Sequence, residues 1–106
     1  MSEIDDGVRK KIDSAPVVLF MKGTPTVPLC GYSKLAVALL EGAGVGFQSF
    51  DVLADEALRQ GIKDSSPWPY FPQVWAHGRC VGGSDMLRIL NEEGKLAAIA
   101  DAPPTD

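Results

Sequence analysis

Residues 17–43 read VVLFMKGTPTVPLCGYSKLAVALLEGA, and the changes of character along this stretch decide the fold. Val17–Met21 is an apolar run with β-branched residues at its start, the signature of a buried strand. Lys22–Pro28 holds two prolines and a glycine and reads as a loop. Cys30 then stands where a helical pattern begins. Leu35, Leu39 and Leu40 recur at helical spacing, and Gly42–Gly44 stop the helix near Ala43. A helix N-terminus presents unpaired N–H groups and the positive end of the macrodipole, and both stabilise a thiolate over a thiol. Lys22, a short loop away, adds a second positive field. A buried structural cysteine would gain nothing from this placement, so Cys30 is the candidate reactive atom.

Working outward from there, Ile4, Val8 and Ile12 repeat every four residues, which predicts an amphipathic helix from Ser2 to Asp13, capped by Ser2 and ended by Pro16. Gly46–Val52 alternates weakly and reads as a second strand. A strand–helix–strand order implies a right-handed crossover and a parallel pair. Asp55–Asp64, with acidic residues in its first turn and Leu58 and Ile62 on one face, predicts a third helix, weakened by Gly61. The segment SSPWPYFP carries three prolines in eight positions and is a rigid loop. Gln73–Ala76 and Arg79–Gly82 are short strands joined by a tight turn at His77–Gly78. Gly83–Ser84–Asp85 opens a last helix, Asp85 to Glu93, with Met86, Leu87 and Leu90 facing inward; Leu96–Ala100 suits a further short turn. The pattern predicts an α/β, thioredoxin-like layout: a four-stranded mixed sheet with helices on both faces. One domain is expected over 1–106, with an N-terminal helix in 1–15 and a flexible tail in 101–106.

At 106 residues and 45% hydrophobic content the chain is long enough to bury a core without disulfide staples. Its two cysteines stand fifty positions apart and form no secreted-type framework, which favours a reducing compartment, cytoplasm or mitochondrial matrix. The formal charge of −4 argues against nucleic acid, whose binding needs dense basic patches. No apolar run reaches the roughly 20 residues of a membrane span. The first residues, MSEIDDGVRKKIDSAP, lack the apolar core of a signal peptide and are too acidic for a transit peptide. A zinc site is disfavoured, since two cysteines and one histidine lack ligand spacing.

Cys30 begins Cys30–Gly31–Tyr32–Ser33. A dithiol oxidoreductase uses C-x-x-C so that the second thiol attacks the mixed disulfide made by the first. Serine holds that place here, so disulfide chemistry at Cys30 needs an external thiol. The blocks MKGTPTVPLCGYS, LRQGIKDSSPWPYFPQ and GGSDMLRILNEEGKL resemble those of the monothiol glutaredoxins, of the single-domain C-G-[FY]-S type, from Val17 to Leu96. That resemblance implies glutathione binding and a [2Fe–2S] cluster bridged between two protomers, with one protein cysteine and one glutathione thiol from each. It also implies roles in cluster assembly and transfer, with a homodimer, BolA-type proteins and apo iron–sulfur acceptors as partners. The stoichiometry is chemically consistent: such a cluster takes four thiolates, more than one chain with a single accessible cysteine supplies.

Glutathione carries two carboxylates and one ammonium, so its site needs cations at two ends and an anion near the γ-glutamyl amine. Lys22, Arg59 and Lys63 are the candidates for the glycine carboxylate; Arg59 and Lys63, four apart, share one helix face. Gly83 and Ser84 offer backbone N–H groups to the γ-glutamyl carboxylate, and Asp85 its side chain to the ammonium. Phe71–Pro72 matches the family's cis-proline position, where the residue before proline pairs its backbone with the cysteinyl unit; a cis X–Pro bond costs only about 0.5–1 kcal/mol. Plainer readings stand beside these. Arg59 and Lys63 suit a solvated face, Asp85 an N-cap, and Gly82–Gly83 a simple turn. The chain also departs from the family. Tyr32 replaces the usual phenylalanine, Tyr70 a small hydroxyl residue, and Ser84 a cysteine found in many relatives. Cys80 reads as a core residue, His77 as an exposed turn residue, and Trp68 and Trp75 as packing residues. The loop TPTVPL, longer than its dithiol counterpart in the resemblance, tilts the reading toward a cluster carrier over the alternative, a glutathione-dependent thiol–disulfide oxidoreductase working through a Cys30 mixed disulfide.

Overall fold

Strand β1 (Val17–Met21) is buried along its whole length and divides the interior in two. Val17, Leu19 and Met21 point to one side of the sheet and Val18 and Phe20 to the other, the period-two alternation of a strand covered on both faces. The structure, a computed structural model, describes residues 6–66, 68 and 70–101. Around β1 come α1 (Asp6–Ile12), α2 (Gly31–Gly42), β2 (Gln48–Asp51), α3 (Glu56–Ser65), β3 (Gln73–Ala76), β4 (Arg79–Gly82), α4 (Ser84–Glu92) and a 3₁₀ turn, Ala97–Ala100. The sheet order is β2-β1-β3-β4. β1 pairs parallel with β2, as a helical crossover requires, and antiparallel with β3. This is the four-stranded mixed sheet expected. β2 is shorter than 46–52 because β1 offers it partners only from Val18↔Gln48 to Met21↔Asp51.

Helices α2 and α4 cover one face, packing Ala36, Val37, Leu40 and Leu87 against Leu19 and Met21. Helices α1 and α3 cover the other, packing Val8, Ile12, Leu58 and Ile62 against Phe20 and Trp75. The buried stripe of α2 differs from the leucine spacing read in the sequence, and one inward assignment, Met86, is corrected. Leu35 is exposed, because the buried stripe of α2 runs through Ser33, Ala36, Val37 and Leu40. Met86 is also exposed, because Leu87 occupies the inward face of α4. α4 begins at Ser84, one residue early, with Gly83 as its cap, so Asp85 is not the N-cap. Asp55 does cap α3, accepting from the Leu58 N–H at 3.0 Å.

The β3–β4 turn places His77 (φ 50°) and Gly78 (φ 79°) both in the left-handed region, as two-residue hairpins demand. His77 is only half-exposed, contrary to expectation. Its N–H donates to the Pro16 carbonyl at 2.7 Å, and its Nε2 lies 3.0 Å from the Ala100 carbonyl, tying the 3₁₀ turn to the hairpin. The expectations for Ser2, Ile4 and the tail beyond Asp101 lie outside the described residues. No helix among the described residues is long and apolar enough to cross a membrane.

Candidate functional site

The site forms where β1 ends and α2 and α4 begin. Leaving β1, the chain passes Lys22 and turns at Gly23, whose φ of 89° only glycine adopts freely. A Cβ there would lie 2.4 Å from the Val27 carbonyl oxygen and 2.8 Å from the Leu29 nitrogen. The turn is held from inside and outside. Thr24 and Val27 exchange backbone hydrogen bonds of 3.1 Å each, and the Leu29 N–H donates to the Lys22 carbonyl at 2.9 Å. The Asp51 carboxylate, at the end of β2, accepts from the Gly23 N–H at 3.0 Å and the Leu53 N–H at 2.9 Å. The loop is therefore a fixed ramp that delivers Cys30 to the N-cap of a helix.

Cys30 is the N-cap of α2, with extended backbone angles (φ −153°, ψ 139°), and its carbonyl accepts the first helical bond from Lys34 at 3.0 Å. No side-chain hydrogen bond of full geometry closes the cap. The amides nonetheless act on the sulfur as oriented donors. The Ser33 N–H does most to hold the thiol below its ordinary value; the little desolvation there works against it; the Tyr32 N–H, the Lys22 ammonium and the Ser33 hydroxyl add to the lowering. The helix start thus outweighs Lys22. Ser33 is fully buried, and its Oγ accepts the Lys22 N–H at 3.1 Å, which joins the ramp to the helix.

A cavity of about 350 Å³ opens beside the sulfur. Lys22 and Cys30 form one wall; Phe71 and Pro72, joined by a cis peptide bond, and the α4 start at Gly83, Ser84 and Asp85 form the other. Seven residues singled out in the sequence therefore meet in one place. Arg59 and Lys63 do not line it. They lie on α3, on the opposite face of the sheet from α2, where Arg59 pairs with Glu56 at 3.5 Å. Gly83 permits close approach: a Cβ there would lie 2.9 Å from Trp68 Nε1 and 3.1 Å from the Pro72 carbonyl oxygen.

Sequence reasoning missed part of the wall. Trp68, read as a packing residue, lines the cavity and meets Tyr70 edge to face with ring centroids 6.3 Å apart. Tyr32 and Tyr70 line it too, at 65% and 69% exposure. Three prolines interleaved with three aromatics were the available signal for a shaped wall. Asp51 and Ser33 carried no signal, since their roles depend on contacts across the fold. Cys80 stays apart: it packs on the α1/α3 side, and burial pushes its thiol up, with Ser66 Oγ 3.8 Å away pulling weakly the other way. Among the described residues no three His, Cys, Asp or Glu side chains gather to hold a metal ion.

A Glutaredoxin family model matches residues 17–81. The monothiol glutaredoxin-S17 of Arabidopsis thaliana is 47% identical over 95 residues, covering 90% of this chain and 20% of that protein. The mitochondrial monothiol glutaredoxin-5 of Saccharomyces cerevisiae is 42% identical over 103 residues, covering 94% of this chain and 69% of that protein. Among solved structures, a monomeric truncated mutant of Trypanosoma brucei 1-C-Grx1 superposes with a TM-score of 0.81 at 36% identity, covering 93% of this chain and 90% of that one. Against the plant relative the chain spans about a fifth of the full length.

Proposed function

The chain belongs to the glutaredoxin family, among its monothiol members, and from that premise we propose that it binds glutathione beside Cys30 and carries a [2Fe–2S] cluster shared between two protomers. The observation that carries this reading is the cavity itself. It sets a thiol biased toward the anion, one lysine and one helix N-terminus with an adjacent carboxylate around a space sized for a small peptide.

In this reading the Lys22 ammonium takes the glycine carboxylate. The Gly83 and Ser84 amides, at the positive end of α4, take the γ-glutamyl carboxylate, and Asp85 takes the ammonium. The backbone of Phe71 pairs with the cysteinyl unit, which brings the tripeptide's sulfur alongside Cys30. Arg59 and Lys63, on α3 and outside the lining of this cavity, are the further candidates for the glycine carboxylate.

The donor set fits the cluster as cargo. Iron–sulfur clusters of this type take four thiolates. Cys30 lines the cavity while Cys80 packs against the core on the other side of the sheet, so one chain offers one ligand. Two chains and two glutathiones complete the set. Cys30 holds the cargo, and the absence of a local second thiol keeps it from being displaced by an internal disulfide. The role that follows is assembly and transfer of clusters to apo acceptors, with BolA-type proteins as further partners, in the cytoplasm or the mitochondrial matrix.

Anaerobic reconstitution with iron, sulfide and glutathione tests this. A coloured dimer is expected that fails to form without glutathione or in Cys30→Ser. A colourless monomer with rapid glutathione-coupled disulfide reduction would replace the carrier by an oxidoreductase. A chromophore that persists in Cys30→Ser would remove both.

A further inference from the structure

The described residues of the aromatic wall, Trp68 and Tyr70, belong to no helix or strand and are joined to the sheet by side-chain hydrogen bonds. What holds them is one buried amide. Gln73, the first residue of β3, is fully buried, and a polar side chain in that position must spend every donor and acceptor. Its Nε2 donates to the Trp68 carbonyl at 2.6 Å and to the Tyr70 carbonyl at 3.3 Å. Its Oε1 accepts from the Trp75 indole Nε1–H at 2.7 Å, a bond buried on both sides. Both amide hydrogens thus go to the loop, and the acceptor goes to the sheet. Trp68 is tied at its other end as well, where its N–H donates to Ser66 Oγ at 2.9 Å.

We infer that Gln73 is a positioning residue for the glutathione site: it clasps Trp68 and Tyr70 to β3 and so sets where their rings and the Phe71 backbone stand opposite Cys30. Gln73 itself is no part of the cavity lining. It acts through the carbonyls on either side of residue 69, and the side chains of Trp68 and Tyr70 project from those same residues into the cavity wall. A loop freed from the clasp keeps its sequence and loses its register against the helix start at Gly83, where the Trp68 ring passes close over the glycine. The ligand in this inference is that of the functional reading above, on which its binding readout rests.

The test compares Gln73→Met, which removes the clasp, with Trp75→Phe, which removes only the bond on the sheet side. Two measurements are made on each: the glutathione concentration that half-protects Cys30 from alkylation, and the backbone amide exchange rate of Trp68 in the ligand-free protein. Both variants are expected to unfold at lower temperature than the parent. Only Gln73→Met is expected to need about tenfold more glutathione, in keeping with the loss of one or two buried hydrogen bonds from the positioned loop, and to speed Trp68 exchange. Trp75→Phe should stay within about twofold of the parent on both counts. Equal losses in the two variants would reduce Gln73 to a core residue and overturn the inference, as would unchanged exchange and protection in Gln73→Met. A parent protein that glutathione does not protect would overturn the functional reading instead, while Trp68 exchange would still decide whether Gln73 is the clasp.

Discussion

At Cys30 the balance lies between amides that favour an anion and a desolvation that opposes it, and the amides, led by that of Ser33, win. The sign has consequences in pH. A thiol held below its unfolded value contributes stability above that unfolded value and loses it as pH falls through the folded one. Cys80 runs the other way: its folded value is raised by burial, so its contribution is lost as pH rises past the unfolded value. The two thiols therefore separate in a labelling experiment. Alkylation near neutral pH, read by peptide mass, should mark Cys30 and spare Cys80, with a Cys30 midpoint below the roughly 8.5 of a free thiol. Lys22→Gln should raise that midpoint without restoring the free value, because the Ser33 and Tyr32 amides remain. A midpoint at or above the free value in the parent would contradict the helix-start mechanism, and a full return to it in Lys22→Gln would mean that the ammonium, not the helix, dominates.

Each element of the site depends on a loop that places it, and loops were the least legible part of the sequence. The buried strand Val17–Met21 was plain from its unbroken apolar run and the existence of α2 from its leucine spacing, although the stripe that α2 buries is Ser33, Ala36, Val37 and Leu40. Also plain were the cysteine at the helix start and the Gly83–Ser84–Asp85 turn, since residue type alone limits what those positions do. Asp51, Ser33 and Gln73 left no local trace: their partners are 28, 11 and up to 5 residues away or across the sheet. Arg59 and Lys63 share a helix face, as their spacing requires, and that spacing says nothing about which side of the sheet the helix covers. The glycines of the 22–31 segment make the same contrast testable. Gly23→Ala must force a left-handed backbone and push a methyl group into the Val27 carbonyl, and should cost about 2–4 kcal/mol in urea unfolding. Gly31→Ala, in the first turn of α2 with open space around it, should instead gain about 0.5–1 kcal/mol. Equal effects of the two would refute the fixed-ramp account of the loop.

Across the whole molecule, β1 belongs to two cores at once, each covered by its own pair of helices. Leu40 of α2 packs with Leu19 and Met21 on one face, and Ile62 of α3 with Val18 and Phe20 on the other, and the two buried clusters share no member. The site is built from the ends of elements on the α2/α4 side, so the α1/α3 layer supports it only through the sheet. This architecture predicts independence. Leu40→Ala should cost about 2–5 kcal/mol and Ile62→Val about 0.5–1.5 kcal/mol, each by lost burial and an unfilled cavity. The double variant should equal their sum within about 0.5 kcal/mol, since neither truncation touches the other's partners. Urea unfolding of the four proteins, with matching slopes to certify two-state behaviour, measures it. The Cys30 alkylation midpoint should be the same in all four, because the helix start that sets it depends on local amides and not on how tightly either face is packed. A double variant more than 1 kcal/mol away from additivity would show that β1 transmits strain from one face to the other, and a midpoint that moves with Ile62→Val would show that the far layer reaches the sulfur through the sheet.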